Sequence, residues 1–232
     1  YHPLPKPIFT EIQSKKLKKL GILNTLDLLL HLPLRYEDKT KINLIKDIRP
    51  GSMFQIEAKI ISIEVTYRPR KNLIIHVSDK SGDLKLRFLH FYSSQVKQFD
   101  EGKILRVYGE IKSNAFLFEM IHPQYEFVSL DTPLKNFYSP VYPLTEGLSQ
   151  KTIFKLVQKV FEKEDFINQH SDYFEDLYKK RNLPSLFEAL KLIHKPSNKF
   201  EKKIFDERKS IFHQRLIYDE LLAHQFFFRG QY

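Results

Sequence analysis

Between Met53 and Phe127 apolar residues recur at every second position in five short runs, and these runs constrain the chain more than any other feature. Phe54, Ile56, Ala58 and Ile60 alternate with Gln55, Glu57 and Lys59, the pattern of a strand with one buried face. At Ile60-Ile61 the phase slips by one, and Ile61, Ile63 and Val65 carry the alternation on. Such a slip marks a bulge or sharp bend, where a strand turns its other face inward. Leu73, Ile75 and Val77 predict a second strand and Leu84, Leu86 and Phe88 a third, with Asp79-Lys80-Ser81-Gly82-Asp83 as turn chemistry between them. Val96 and Phe99, three apart, suit one or two helical turns. Leu105, Val107, Gly109 and Ile111 predict a fourth strand, Lys112-Ser113-Asn114 a turn, and Phe116, Phe118 and Met120 a fifth. A strongly bent first strand and a short helix between the third and fourth point to the five-stranded, partly open Greek-key barrel of the OB-fold. A plain antiparallel meander is the alternative that the same period allows.

The flanks read as helices, which makes the fold class α+β. Residues 1–13 hold three prolines and predict an extended lead-in; Ser14 then opens a short basic helix with Leu17 and Leu20 on one side. Gly21 stands where a helix C-cap glycine belongs. Asn24 or Thr25 can cap a second helix, carrying Leu26 to Leu32, before Pro33 stops it. Helix, Gly-Ile turn and helix outline a helix-hairpin-helix, whose turn amides can meet a DNA phosphate; two helices packing a leucine seam account for the same residues. Ile42 to Ile48 predicts a short strand leading to Pro50-Gly51. Pro133, Pro140 and Pro143 make 129–144 an irregular strap. Ser149 caps a helix with Ile153, Leu156, Val157, Val160 and Phe161 on its apolar face, and Phe166 to Tyr178 reads as helical. Ser185 with Glu188 opens Leu186–His194, which Lys195-Pro196 ends. Asn198 and Glu201 start a last segment whose apolar residues keep helical spacing to Gly230; as one helix it would run about 45 Å, a strut toward something outside the chain. The expected organisation is a helical segment over 1–50, an OB-fold domain over 51–128, and a strap and helical linker over 129–232.

The chemistry these residues exclude is broad. Only 7 Gly in 232 residues, with Gly102-Lys103 followed by Ile104, leaves no phosphate loop. With no Cys there are no disulfides or thiolate metal sites, which suits a reducing cytosol. The 9 His are scattered singly, and pairs such as Glu37-Asp38, Asp100-Glu101 and Glu175-Asp176 read as solvated faces and caps. No catalytic site, cofactor or metal is expected within the chain. No apolar run reaches the roughly 20 residues of a membrane span. The net charge of +10 favours a polyanionic partner, nucleic acid before an acidic membrane. Residues 52–128, however, hold 11 Lys+Arg against 9 Asp+Glu, so any basic surface there is confined to loops.

Those loops are specific. Arg68-Pro69-Arg70-Lys71 joins strands one and two, and Lys112-Ser113-Asn114 joins four and five; in an OB-fold these two loops flank the oligonucleotide face. Arg68, Arg70, Lys71 and Lys112 either track phosphates or are ordinary surface charge. After the third strand, His90, Phe91 and Tyr92 offer flat side chains for unpaired bases, unless Phe91 and Tyr92 plug the end of the barrel.

Five stretches, taken in order, resemble the amino-terminal region of RecG, the bacterial helicase of branched DNA. They are Leu20-Gly21-Ile22 with Leu28-Leu29-Leu30-His31-Leu32-Pro33; Arg35-Tyr36-Glu37-Asp38; Met120-Ile121-His122-Pro123-Gln124-Tyr125; the long Pro140 to Gln150 block; and Arg215-Leu216 with Glu220-Leu221-Leu222-Ala223-His224-Gln225. The resemblance implies a wedge domain, pressed into stalled replication forks and Holliday junctions during DNA repair and recombination. It implies a two-lobed ATPase motor following residue 232, with ATP and magnesium belonging to that motor. The chain, which begins abruptly at Tyr1, is then expected to be a trimmed fragment, cytoplasmic and monomeric, with no membrane partner. The family's stacking aromatics fall on Phe88 to Tyr92; where the family commonly shows Phe-Phe-Asn this chain has Phe88-Leu89-His90, so Phe91 and Tyr92 jointly inherit the role. A free-standing single-strand-binding OB protein and a protein-docking barrel are the other classes that these residues permit.

Overall fold

The computed structural model describes residues 8–114, 117–163 and 175–229. It is a mixed α+β protein in two compact units. One comprises the described residues up to Asp38 and from Asn136 on, and the other is Lys39–Lys135.

The first helix, α1 (Glu11–Lys18), starts earlier than Ser14 because Thr10 and Gln13 cap each other reciprocally. Gly21 follows it in the left-handed region (φ 75°), a conformation that costs glycine little. Asn24 and Asp27 form a second reciprocal cap on α2 (Thr25–Leu30). Leu17, Ile22, Leu28 and Leu29 all enter one core with Tyr142 and Leu156. The turn amides are already satisfied: Ile22 donates to the Leu17 carbonyl at 3.1 Å, and Leu23 and Asn24 donate to Asp27 Oδ2 at 2.9 and 3.2 Å. These amides have partners within the chain, and the leucines form the packed seam. Strand β1 (Arg35–Glu37) ends this segment.

Ile42 to Ile48 is not a strand; its core is a 3₁₀ turn, Ile45–Asp47. The buried residues there, Ile45 and Ile48, are three apart, and the Ile45 and Lys46 amides donate to Asp79 and Ser81 across the next hairpin. The sheet contains β2 (Met53–Thr66), β3 (Asn72–Asp79), β4 (Gly82–Phe88), β5 (Ile104–Glu110), β6 (Lys112–Asn114), β7 (Leu117–Ile121) and β8 (Gln124–Val128), with helix α3 (Ser93–Val96) between β4 and β5. Their order is β6-β7-β4-β3-β2-β5-β8, and no described ladder joins the two ends. Strand β2 pairs with β5 up to Lys59 and with β3 from Lys59 on, with a register shift between Ile60 and Ser62. The slip at Ile60-Ile61 is thus a bulge. Ile61 itself is the extra residue, half exposed, while Ile63 and Val65 return to the core. Asp79 Oδ1 accepts from the Ser81 and Gly82 amides and closes a two-residue turn between β3 and β4. Lys112-Ser113-Asn114 is strand rather than turn, paired with β7, which runs parallel to β4. Strand β8 adds an element beyond the expected five. Phe116 lies outside the described residues.

Two polar side chains on the face of β2 and β5 away from this core tie down the chain where it enters and leaves the sheet. Gln55 Nε2 donates to the Lys39 and Lys41 carbonyls at 3.1 and 3.0 Å. Arg106 is 7% exposed and uses all five N–H groups. They go to Glu57 twice (3.2 and 3.0 Å), Glu126 (3.3 Å) and the Thr132 and Pro133 carbonyls (2.9 and 3.1 Å).

Beyond Asn136 the strap is not irregular throughout, because β9 (Ser139–Val141) pairs antiparallel with β1, Arg35 opposite Val141 and Glu37 opposite Ser139. Ser149 caps α4 (Gln150–Phe161), whose buried face is Ile153, Leu156, Val157, Val160 and Phe161. Then come α5 (Glu175–Lys180), α6 (Leu186–His194), α7 (Lys202–Asp206) and α8 (Ile211–Arg229). Of the helix expected over Phe166 to Tyr178, residues 166–174 lie outside the described residues, as does Gly230. The single strut from Asn198 is broken: Arg208 adopts φ 55°, and α8 keeps 19 residues, about 28 Å. Glu201 rather than Asn198 precedes α7. His194 is wholly buried between Tyr142 and Leu29. Its Nε2 donates to the Leu29 carbonyl at 2.7 Å, so Nδ1 accepts from the Tyr142 hydroxyl at 2.9 Å. Burial depresses its pKa to about 4, against the smaller opposing effect of the Leu29 carbonyl.

Candidate nucleic-acid interface

Register brings two sequence-distant stretches to one edge of the sheet. Leu73 at the start of β3 faces Phe88 at the end of β4, so the loop 67–71 and the residues after Phe88 emerge together. Asn72 Nδ2 donates to the Arg70 carbonyl at 2.9 Å and folds the loop back on the strand. Lys71, Leu89, His90, Phe91 and Tyr92 line an open depression of about 450 Å³.

The aromatic residues around it differ in freedom. Phe88 is core, as the alternation requires. Phe91 is half-buried against that core and carries Lys71 Nζ over its ring at 4.8 Å, a cation–π contact. Tyr92 is 81% exposed, although its backbone is held because its carbonyl accepts from the Gln95 amide at 2.9 Å as α3 begins. A rigid backbone under an exposed ring is what a stacking platform needs. Tyr92 has this geometry and Phe91 has only part of it.

Arg68, Arg70 and Lys71 are exposed, and none of the three is ion-paired among the described residues. Lys112 is exposed too, but sits on β6 opposite Glu119 and does not line the depression. The structure therefore gathers Lys71, His90, Phe91 and Tyr92, puts Arg68 and Arg70 in the adjoining loop, and leaves Lys112 apart.

One residue to which the sequence assigns no role completes the site. His122 adopts φ 49°, donates its amide to the Arg87 carbonyl at 2.8 Å, and accepts the Leu89 amide on Nε2 at 3.2 Å. Its ring stacks on His90 (5.9 Å, 15°) and meets Phe88 edge-on. It thus fixes the backbone just before His90. A His-Pro pair directly after a strand is a visible signal, but nothing local connects it to Leu89.

Among the described residues no group of three or more His, Cys, Asp or Glu could hold a metal ion, and no helix is long and apolar enough to cross a membrane.

The ATP-dependent DNA helicase RecG of Haemophilus influenzae is 36% identical over 213 residues, covering 91% of this chain and 30% of that protein. The Escherichia coli K12 helicase is 34% identical over the same coverage, and that of Thermotoga maritima 32% identical over 94% of this chain and 27% of its own length. The chain therefore spans about a third of these relatives. A solved structure of RecG bound to a three-way DNA junction superposes with a TM-score of 0.70 at 28% identity, over 93% of this chain and 29% of that one. A family model described as the RecG wedge domain matches residues 9–163, which is most of the chain, and the chain belongs to that family.

Proposed function

We propose that this chain is the wedge region of a RecG-like ATP-dependent DNA helicase, which engages branched DNA at stalled forks and Holliday junctions in repair and recombination. The observation that carries the reading is Tyr92, an exposed ring on a fixed backbone beside cations with no ion pair among the described residues, in a chain of the RecG wedge family. Tyr92 stacks on the first unpaired base, with His90 and Phe91 beside it, while Arg68, Arg70, Lys71 and Lys112 hold phosphates. Residues 51–128 are the OB-fold core of the wedge, with 1–50 the helical lead-in and 129–232 the strap and linker to a motor. That motor supplies ATP and magnesium binding. The protein acts as a monomer in the cytoplasm.

The same reading makes the sheet a partly open OB-fold barrel built on β2, β3, β4, β5 and β7. It is supported by the bulged β2 shared between β3 and β5, the parallel β4–β7 pairing, and α3 between β4 and β5.

Titrations of a fork, a plain duplex and a single strand test the function. Tyr92→Ala is expected to weaken fork binding by about 1–3 kcal/mol, with duplex affinity and melting unchanged. Phe91→Ala, whose ring packs on the core, is expected to lower the melting temperature as well. Unchanged fork affinity for Tyr92→Ala removes it from the site. Equal wild-type affinity for fork and single strand points to a free-standing single-strand binder, and salt-insensitive or absent binding to a protein-docking barrel. Separately, Arg70→Ala should weaken binding to all sequences alike and flatten the dependence of log K on log salt by about 0.9. An unchanged slope in the Arg68, Arg70 and Lys71 triple variant would exclude that loop.

A further inference from the structure

In three helices of the helical unit some basic side chains pair with a carboxylate one turn away, while others, such as Lys18 in α1, have no ion pair among the described residues. Lys15 meets Glu11 in α1, Lys202 meets Asp206 in α7, Lys203 meets Glu207 just past it, and Arg215 meets Asp219 in α8. Helix α4 has several such cations and no such pair among the described residues. Lys151, Lys155 and Lys159 recur every four residues, all exposed, and between Gln150 and Phe161 there is no Asp or Glu. None of the three is ion-paired among the described residues, including with Glu146 or Glu162 at either end of the helix. Like charges four apart repel and weaken a helix. The opposite face holds the helix in place, with Ile153, Val157 and Val160 wholly buried, so the ammonium groups project from a fixed ridge.

Eight residues of helix rise about 12 Å. Over that length one DNA strand presents three or four phosphates, at about 3.4 Å of rise each. We propose that the Lys151–Lys155–Lys159 ridge of α4 is a second nucleic-acid contact, following the phosphate backbone of a duplex arm. The identity of the ligand rests on the branched-DNA reading above. The ridge itself belongs to the helical unit and shares no residue with the sheet-edge site. Contacts of this kind position a duplex and carry no sequence information.

The test uses the 232-residue chain. Wild type, a Lys151→Gln/Lys155→Gln/Lys159→Gln triple, the matching Lys→Arg triple and Tyr92→Ala are titrated with fork and blunt duplex over a salt series. The Gln triple is expected to weaken fork and duplex alike and to reduce the slope of log K against log salt by about 2 to 3. Its melting temperature should be unchanged or higher, because the repulsion is gone. The Arg triple should keep the wild-type slope, and Tyr92→Ala should lose fork preference with no change of slope. An unchanged slope in the Gln triple overturns the proposal, as does a Gln triple that loses binding to phosphatidylglycerol vesicles but not to DNA. A silent Tyr92→Ala beside a flattened Gln triple would overturn the stacking reading alone and leave the ridge standing.

Discussion

Replacing Arg106 with methionine is expected to destabilise the sheet unit by about 3–5 kcal/mol, the usual cost of removing one partner from a buried ion pair. At about 4–8 °C per kcal/mol for a domain of this size, the melting temperature should fall by more than 10 °C. The volume is nearly kept, so the loss is not one of packing. Glu57, only 24% exposed in its side chain, loses its guanidinium, and the Thr132 and Pro133 carbonyls lose their donors. Arg106→Lys should fall between the two, because an ammonium has three N–H groups for five contacts. A methionine variant that melts within 2 °C of wild type would show that the clamp contributes nothing.

Acidification is expected to weaken the helical unit by roughly 3 kcal/mol through His194 alone. In the folded chain its pKa is about 4 against an ordinary 6.5, because burial disfavours the imidazolium. Between those values the unfolded chain binds a proton that the folded chain does not. Stability is therefore intact above pH 6.5 and declines as the pH falls toward 4. His213, also lowered to about 4 by burial and by the nearby Arg208 charge, acts in the same direction. Urea unfolding of wild type and His194→Gln at a series of pH values isolates the term. At neutral pH the variant should be less stable, having lost the stack on Tyr142, and its deficit should shrink by about 3 kcal/mol at pH 4. A deficit that stays constant over that range would mean that His194 does not titrate between them.

What the sequence made legible was whatever depends on near neighbours. The bulge shows at Ile60-Ile61 because a regular strand cannot move its apolar residues to the opposite face without an extra residue. Ser149 and Ser185 announce their helices through the next turn. Strand β8 carries the same signal, Tyr125 and Phe127 alternating with Gln124 and Glu126, but it was not among the five strands expected. The break before α8 was hidden by its own packing. Phe205 and Phe212 are seven apart and both buried, so helical spacing continues across a chain that is not helical at Arg208. Arg106 looked like an ordinary outward position, because its partners at Thr132 and Pro133 come from a stretch with no period. In the site, exposure separated Tyr92 from Phe91, and that depends on how α3 turns the chain, which the two rings do not encode. The part His122 plays in holding Leu89 was invisible because its hydrogen bond spans 33 residues.

The ladder between β1 and β9 has a consequence for how such a protein can change. Strand β1 ends at Glu37 and β9 begins at Ser139, directly opposite, in antiparallel register. A short hairpin loop can close such a pair, so the helical unit's own strand pairing does not need the segment in between. That segment is a cassette spliced into a closed seam. Changes in the length of the cassette's loops and strands need not break the β1–β9 ladder that closes the seam.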